Sequence, residues 1–133
     1  YMVSGKPFSS FLKKQAKKRN FNMIKIILNR EREELYQRIN KRVDKMMTNG
    51  LLEEVKKLYD YKNFNALQTV GYKELFAFFD GEWDLDTAIE EIKKNTRRYA
   101  KRQITWFRRD TENIFFNADS LIDIKEYLKK NIY

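Results

Sequence analysis

Lys93 to Arg109 reads KKNTRRYAKRQITWFRR: seventeen residues with eight cations, no acid, and aromatics set among them. The span has no Gly or Pro, so it runs as one helix. On a helix, Arg97, Arg98, Lys101, Arg102, Thr105, Arg108 and Arg109 share one face, while Ile92, Tyr99, Gln103 and Trp106 line the opposite side. The first face suits a polyanion and the second suits a core. This stretch alone makes RNA or DNA the leading partner class. The bland alternative is a solvated surface, but solvated faces usually mix both signs of charge.

The whole chain agrees with the stretch. It carries 28 Lys+Arg against 19 Asp+Glu, a net charge of +9, which bears on association rather than on fold. Lys13, Lys14, Lys17, Lys18 and Arg19 form a second basic cluster. Asp80, Glu82, Asp84, Asp86, Glu90 and Glu91 precede the basic helix, an order that suits the helix macrodipole. With 133 residues and 42% hydrophobic content there is material for one core. No apolar run approaches the ~20 residues of a membrane span, so no membrane association is expected. There is no Cys and no His, which excludes disulfides, thiolate metal sites and the usual neutral-pH general base. The cytoplasm is the expected compartment. The chain begins at Tyr1 rather than Met, which reads as part of a longer protein.

Around the basic helix the fold class reads as mostly α with two short β-strands. Tyr1 to Ser4 finishes a helix at Gly5, and Pro7 opens a short helix through Lys18. Residues 20–28 hold an apolar run, Phe21 to Leu28, that predicts a strand buried on both faces. Glu31 to Thr48 is amphipathic, with Leu35, Ile39, Val43 and Met46 or Met47 on one side, and Asn49-Gly50 ends it. Leu51 to Tyr61 is a second helix, Lys62 to Ala66 a loop, and Gln68 to Phe79 a short helix. Asp84 caps the long helix from Leu85 to about Arg109. Residues 113–116 are the second strand, and Asp119 caps a last helix through Lys130. Two strands do not make an independent sheet, so further strands are expected from outside the chain. The whole chain, 1–133, reads as a single unit whose residues 30–110 form a helical region.

The chemistry-bearing residues are few. No phosphate loop of the form GxxxxGK followed by Ser or Thr is present. Arg32, Arg38 and Arg42 lie on the polar side of the first strong helix, as a cationic wall for a diphosphate or as ion-pair partners of Glu31, Glu34 or Asp44. Gly71 interrupts a helical pattern at a cost of about 1 kcal/mol relative to Ala, which suggests close approach of another backbone. Beside it, Tyr72 suits base stacking and Lys73 a phosphate. Trp106 and Phe107 are expected to anchor the basic helix in a core.

Several groups occur together in an order that is informative. They are Gly5-Lys6-Pro7-Phe8-Ser9, Arg32 with Leu35-Tyr36 and Arg38-Ile39, Arg42-Val43-Asp44, Gly50-Leu51 with Glu54-Val55, Leu67 to Glu74 (LQTVGYKE), and Asn95 to Arg108 (NTRRYAKRQITWFR). In these motifs the chain resembles the C-terminal part of bacterial tRNA dimethylallyltransferases, also called tRNA isopentenylpyrophosphate transferases. TVGYKE and KRQITWFR carry the specificity, and the match becomes unspecific beyond about Arg109.

The resemblance implies the C-terminal portion of an α/β, P-loop-kinase-like fold whose N-terminal part is absent. It implies transfer of a dimethylallyl group from dimethylallyl diphosphate to N6 of the adenosine 3′ of the anticodon, with nucleotide-like phosphate binding and Mg2+ assistance. The target base would be extruded into a channel. Thr69, Val70, Gly71, Tyr72, Lys73 and Glu74, with Arg97, Lys101, Arg102, Gln103, Ile104, Thr105, Trp106, Phe107 and Arg108, would then be RNA-binding. One or more of Arg32, Arg38 and Arg42 would face the diphosphate. No catalytic residue and no Mg2+ ligand is assigned to this chain, which alone is expected to be inactive. The tRNA anticodon stem-loop is the expected partner and the full-length enzyme is expected to be monomeric. The competing readings are a stand-alone basic helical RNA-binding module without catalysis, and a domain whose basic helix meets an acidic protein.

Overall fold

The computed structural model describes Gly5 and residues 20–132. Expectations for the first helix end, the Pro7 helix and the Lys13–Arg19 cluster lie outside the described residues. The elements run β1 (Lys25–Asn29), α1 (Arg32–Thr48), α2 (Leu51–Lys57), two 3-10 turns (Tyr59–Tyr61 and Asn65–Leu67), α3 (Tyr72–Phe79), α4 (Leu85–Phe107), β2 (Asn113–Asn117) and α5 (Leu121–Ile132).

The core is helical. Val43 of α1, Leu51 and Val55 of α2, Leu75 and Phe76 of α3, and Ala88 and Ile92 of α4 form one buried cluster. Each large apolar side chain withdrawn from water in this way contributes on the order of 1.5–3 kcal/mol. Only the first half of α4 takes part; Ala88 and Ile92 are its fully buried positions. The Asn49-Gly50 junction ends α1 as the sequence predicts, with Gly50 at φ 95°. Asp84 caps α4 through the Thr87 N–H at 2.7 Å.

The two strands pair with each other in parallel, Lys25 opposite Asn113 through Asn29 opposite Asn117. The helices α1 to α4 form the crossover between them. Ion pairs fasten this sheet at both ends. Lys25 Nζ reaches Asp110 at 2.7 Å and Glu112 at 2.8 Å. Arg30 forks onto both oxygens of Asp119 and also reaches Glu34 at 2.6 Å. The Ala118 N–H continues the ladder to the Asn29 carbonyl at 2.8 Å.

Four expectations shift. The first strand starts at Lys25 rather than in residues 20–24, and Leu28 is 58% exposed. A two-stranded ribbon cannot cover both of its own faces, so burial on both sides fails among the described residues. The second helix stops at Lys57 and tightens into a 3-10 turn, because Tyr59 and Lys62 both turn their side chains to Asp80. The helix expected from Gln68 begins only at Tyr72, after Gly71 at φ 104°, while the Gln68 amide donates to the Lys62 carbonyl. Asp119 spends its carboxylate on Arg30, and α5 begins two residues later at Leu121.

Two outcomes test this architecture. Leu75→Ala, at a fully buried position, is expected to lower unfolding stability by about 2–5 kcal/mol in urea denaturation, whereas Val70→Ala on the surface stays within about 0.5 kcal/mol. Asp119, Asp110 and Asp80 are held below their ordinary value of 3.8 by the hydrogen-bonding cations Arg30, Lys25 and Lys62, and Asp84 by the backbone N–H of Thr87. A lowered carboxylate contributes stability that is complete above its unfolded value and lost as pH falls through the folded value. Unfolding stability is therefore level from neutral pH down to the ordinary carboxylate range and declines below it. In Asp119→Asn the decline is shallower.

Candidate nucleic-acid interface

Along α4 the cations change character from one end to the other. Lys93 is pinned between Asp44 of α1 and Glu90, each at 2.9 Å, and Lys94 meets Glu91 at 2.5 Å. These two of the eight cations are neutralised by acids. Arg97 is half-buried: its Nη1 donates to the Asn40 side-chain oxygen at 2.7 Å, and its guanidinium lies 6.0 Å from the centre of the Tyr36 ring. Arg97 therefore braces α4 against α1. From Lys101 onward, Lys101, Arg102, Arg108 and Arg109 are exposed and make no ion pair among the described residues. This is the free cationic track.

The opposite side of the helix departs from expectation. Trp106 is 63% exposed and touches Phe107 edge-on at 5.1 Å; Tyr99 is also exposed. The expectation that Trp106 anchors the helix in a core fails among the described residues. The reason is geometric: after Ile92, α4 outruns the helical cluster, its neighbours there being α1 on one side and β1 on another, and the Trp106 side faces neither. Ile104 and Phe107 are half-buried, and a 280 Å³ cleft lined by them with Ile27, Leu28 and Ala100 separates α4 from the strand. Gln103 and Thr105 are exposed, and the Thr105 hydroxyl donates back to the Lys101 carbonyl at 2.9 Å.

A second, more polar groove of 310 Å³ opens between the start of α1 and the end of α4. Arg30, Arg32, Tyr36, Lys101, Thr105 and Arg108 line it. Arg32 is held there by Tyr36, with Nε donating to the phenol oxygen at 3.2 Å and the guanidinium 5.2 Å from the ring centre. Arg38 and Arg42 do not line this groove. Arg38 is exposed at 4.0 Å from Glu34, and Arg42 is exposed without an ion pair among the described residues. Of the three arginines singled out from the sequence, Arg32 alone joins the track. Arg30 stands in none of the motifs, and Tyr36 enters the sequence reading only as part of the Leu35-Tyr36 motif, with no role assigned. The signal is faint because Arg30 sits at a strand end and Tyr36 next to the apolar stripe.

The TVGYKE segment divides into outward and inward residues. Thr69, Val70 and Lys73 are exposed. Gly71 is buried, and a Cβ added there would meet no atom within 4 Å. Its φ of 104°, not a close backbone approach, is what requires glycine. The Tyr72 hydroxyl donates to the Glu54 carboxylate. That bond, together with burial, holds the phenol above its ordinary range. The ring tilts against Phe76 rather than standing free to stack. Glu74 is 3% exposed, and accepts from the Gly71 N–H at 2.7 Å and from Asn95 at 2.8 Å. It turns away from solvent and organises the segment from within.

Among the described residues no group of three or more acids fits a divalent cation, so no step through Mg2+ is derived. No helix among them is long and apolar enough to cross a membrane.

Comparison with known proteins follows the geometry. A tRNA dimethylallyltransferase from Christiangramia forsetii is 58% identical over 130 residues, which is 97% of this chain and 43% of that protein. The tRNA dimethylallyltransferase 1 of Bacteroides thetaiotaomicron is 52% identical over 96% of the chain and 41% of its own length. The crystal structure of a Bacillus halodurans tRNA isopentenylpyrophosphate transferase superposes with a TM-score of 0.73 at 43% identity, covering 85% of this chain and 38% of that one. A Staphylococcus epidermidis tRNA isopentenylpyrophosphate transferase gives 0.74 at 34% identity over 98% of this chain and 46% of its own. The chain thus spans less than half the length of these relatives, consistent with the C-terminal portion expected from its motifs. The family model for IPP transferase matches residues 1–110, and the chain belongs to that family.

Proposed function

We propose that this chain is the part of a tRNA dimethylallyltransferase that holds the anticodon stem-loop and closes one wall of the reaction channel. The observation that carries the reading is the run of unpaired, exposed cations Lys101 and Arg102 on the last turns of α4 and Arg108 and Arg109 just past its end. Phosphate contacts of this kind give affinity and register, while unstacked bases give specificity. The similarity to tRNA dimethylallyltransferases supplies the substrate class.

In the reaction, N6 of the adenosine attacks the allylic carbon of dimethylallyl diphosphate. A C–N bond forms, the C–O bond breaks, diphosphate leaves, and the N6 proton passes to a base that this chain does not supply. Arg32 is our candidate for the leaving group. Its guanidinium is pre-oriented by Tyr36 and lies in the groove that also holds Lys101 and Arg108. A fixed planar cation there would stabilise charge as it develops on the departing oxygens. The setting is the cytoplasm, and the complete enzyme acts as a monomer.

Three outcomes test the proposal. Replacing Lys101, Arg102 and Arg108 together by Ala weakens binding of an anticodon stem-loop RNA, and the slope of log affinity against log salt becomes shallower by about 0.7–0.9 for each phosphate no longer neutralised; an unchanged slope overturns the track. In a transferase completed with an N-terminal portion that binds the diphosphate, Arg32→Ala is expected to lower kcat by tenfold or more, about 1.4 kcal/mol, and Lys at that position does not restore it fully. The 133-residue chain by itself yields no prenylated RNA; detectable product refutes the division of labour. Tight stem-loop binding without turnover even in the completed protein would favour a stand-alone RNA-binding module.

A further inference from the structure

Arg98 precedes the Lys101–Arg108 segment by less than a turn of α4. It is exposed and makes no ion pair among the described residues. Its Nη1 donates to the side-chain oxygen of Asn95 at 3.3 Å. Asn95 donates from its Nδ2 to Oε1 of Glu74 at 2.8 Å, and Oε2 of Glu74 accepts the Gly71 N–H at 2.7 Å. These contacts form one relay from the start of α3 to the cationic face of α4.

The chemistry gives the relay a single sense. A guanidinium donates and does not accept. Asn95 therefore presents its carbonyl to Arg98, which leaves its NH2 to donate to Glu74. Arg98 spends a single donor on this contact, and the rest of its fork remains open to solvent. A guanidinium held in place loses less freedom when it binds an anion. Arg102 lies four residues on and continues the same row. At the other end of the relay stands α3, whose Lys73 is exposed and without an ion pair among the described residues.

We propose that Arg98 is an RNA phosphate-binding residue, aligned by Glu74 through Asn95, that joins the TVGYKE segment to the cationic end of α4 as one continuous surface. This rests on the RNA-binding reading above. Asn95 and Glu74 are positioning residues: they touch the arginine or its support, not the nucleic acid.

The experiment measures affinity of the 133-residue chain for an anticodon stem-loop RNA across salt concentration. The variants are Arg98→Ala, Asn95→Ala, their double, and the Lys101, Arg102 and Arg108 triple. Arg98→Ala is expected to make the salt slope shallower by about 0.7–0.9, the share of one neutralised phosphate. Asn95→Ala keeps the slope, because the cation remains, and weakens binding roughly threefold because the guanidinium is no longer pre-oriented. In the Arg98→Ala background Asn95→Ala adds nothing further. An unchanged slope in Arg98→Ala, beside a shallower one in the triple variant, overturns the proposal and leaves the RNA reading standing. Additive effects of Asn95→Ala and Arg98→Ala overturn the relay, since a purely structural asparagine acts whether or not the arginine is present. An unchanged slope in the triple variant removes the RNA reading itself, and this proposal with it. Arg98 is on the surface, so its slope decides the matter even if Asn95→Ala fails to fold.

Discussion

The structure depends on how one helix is divided. The first half of α4 places Ala88 and Ile92 in the core with Val43, Val55, Leu75 and Phe76. The second half leaves that core and carries its cations into solvent. Unpaired cations on successive turns destabilise a helix, by about 0.2–0.5 kcal/mol for each like-charge pair. The apolar burial at its base compensates for that repulsion, and the acids near its start neutralise Lys93 and Lys94. Stability and charge display are thus separated along a single axis.

Arg97 and Glu74 mark the boundary between the two halves, and both are turned inward. Arg97 ties α4 to Asn40 and Tyr36 of α1, and Glu74 ties α3 to Asn95 of α4. A buried carboxylate is stable only if its oxygens find donors, and here one donor is the backbone of the segment that Gly71 turns. The conformation of the TVGYKE loop and the spacing of α3 from α4 are therefore set by the same group.

Much of this was legible from residue patterns. The 3.6-residue spacing of Leu35, Ile39 and Val43 gave α1, Asn49-Gly50 its end, and Asp84 the start of α4. The motifs gave the family. What remained hidden depends on residues distant in sequence. Arg97 and Arg102 look alike on a helical projection, yet only one meets Asn40, 57 positions away. Glu74 enters the sequence reading only as one of the RNA-binding residues that the resemblance implies, and its burial shows only once Asn95, 21 positions away, is placed beside it. Trp106 shows the converse. Amphipathicity identifies a face, but it does not say what lies against that face.

The sheet carries a kinetic implication. Its ion pairs join Lys25 to Glu112, 87 residues apart, and Arg30 to Asp119, 89 apart. The helical core between them is built mostly from neighbours in sequence. Closing so long a loop before any strand contact forms is entropically costly, and non-local pairing slows folding. The helices α1 to α4 would thus assemble first and bring the two strands together as a late step. Until then the apolar strands Lys25–Asn29 and Asn113–Asn117 have no paired edge, which leaves both segments open to unwanted association in the folding chain.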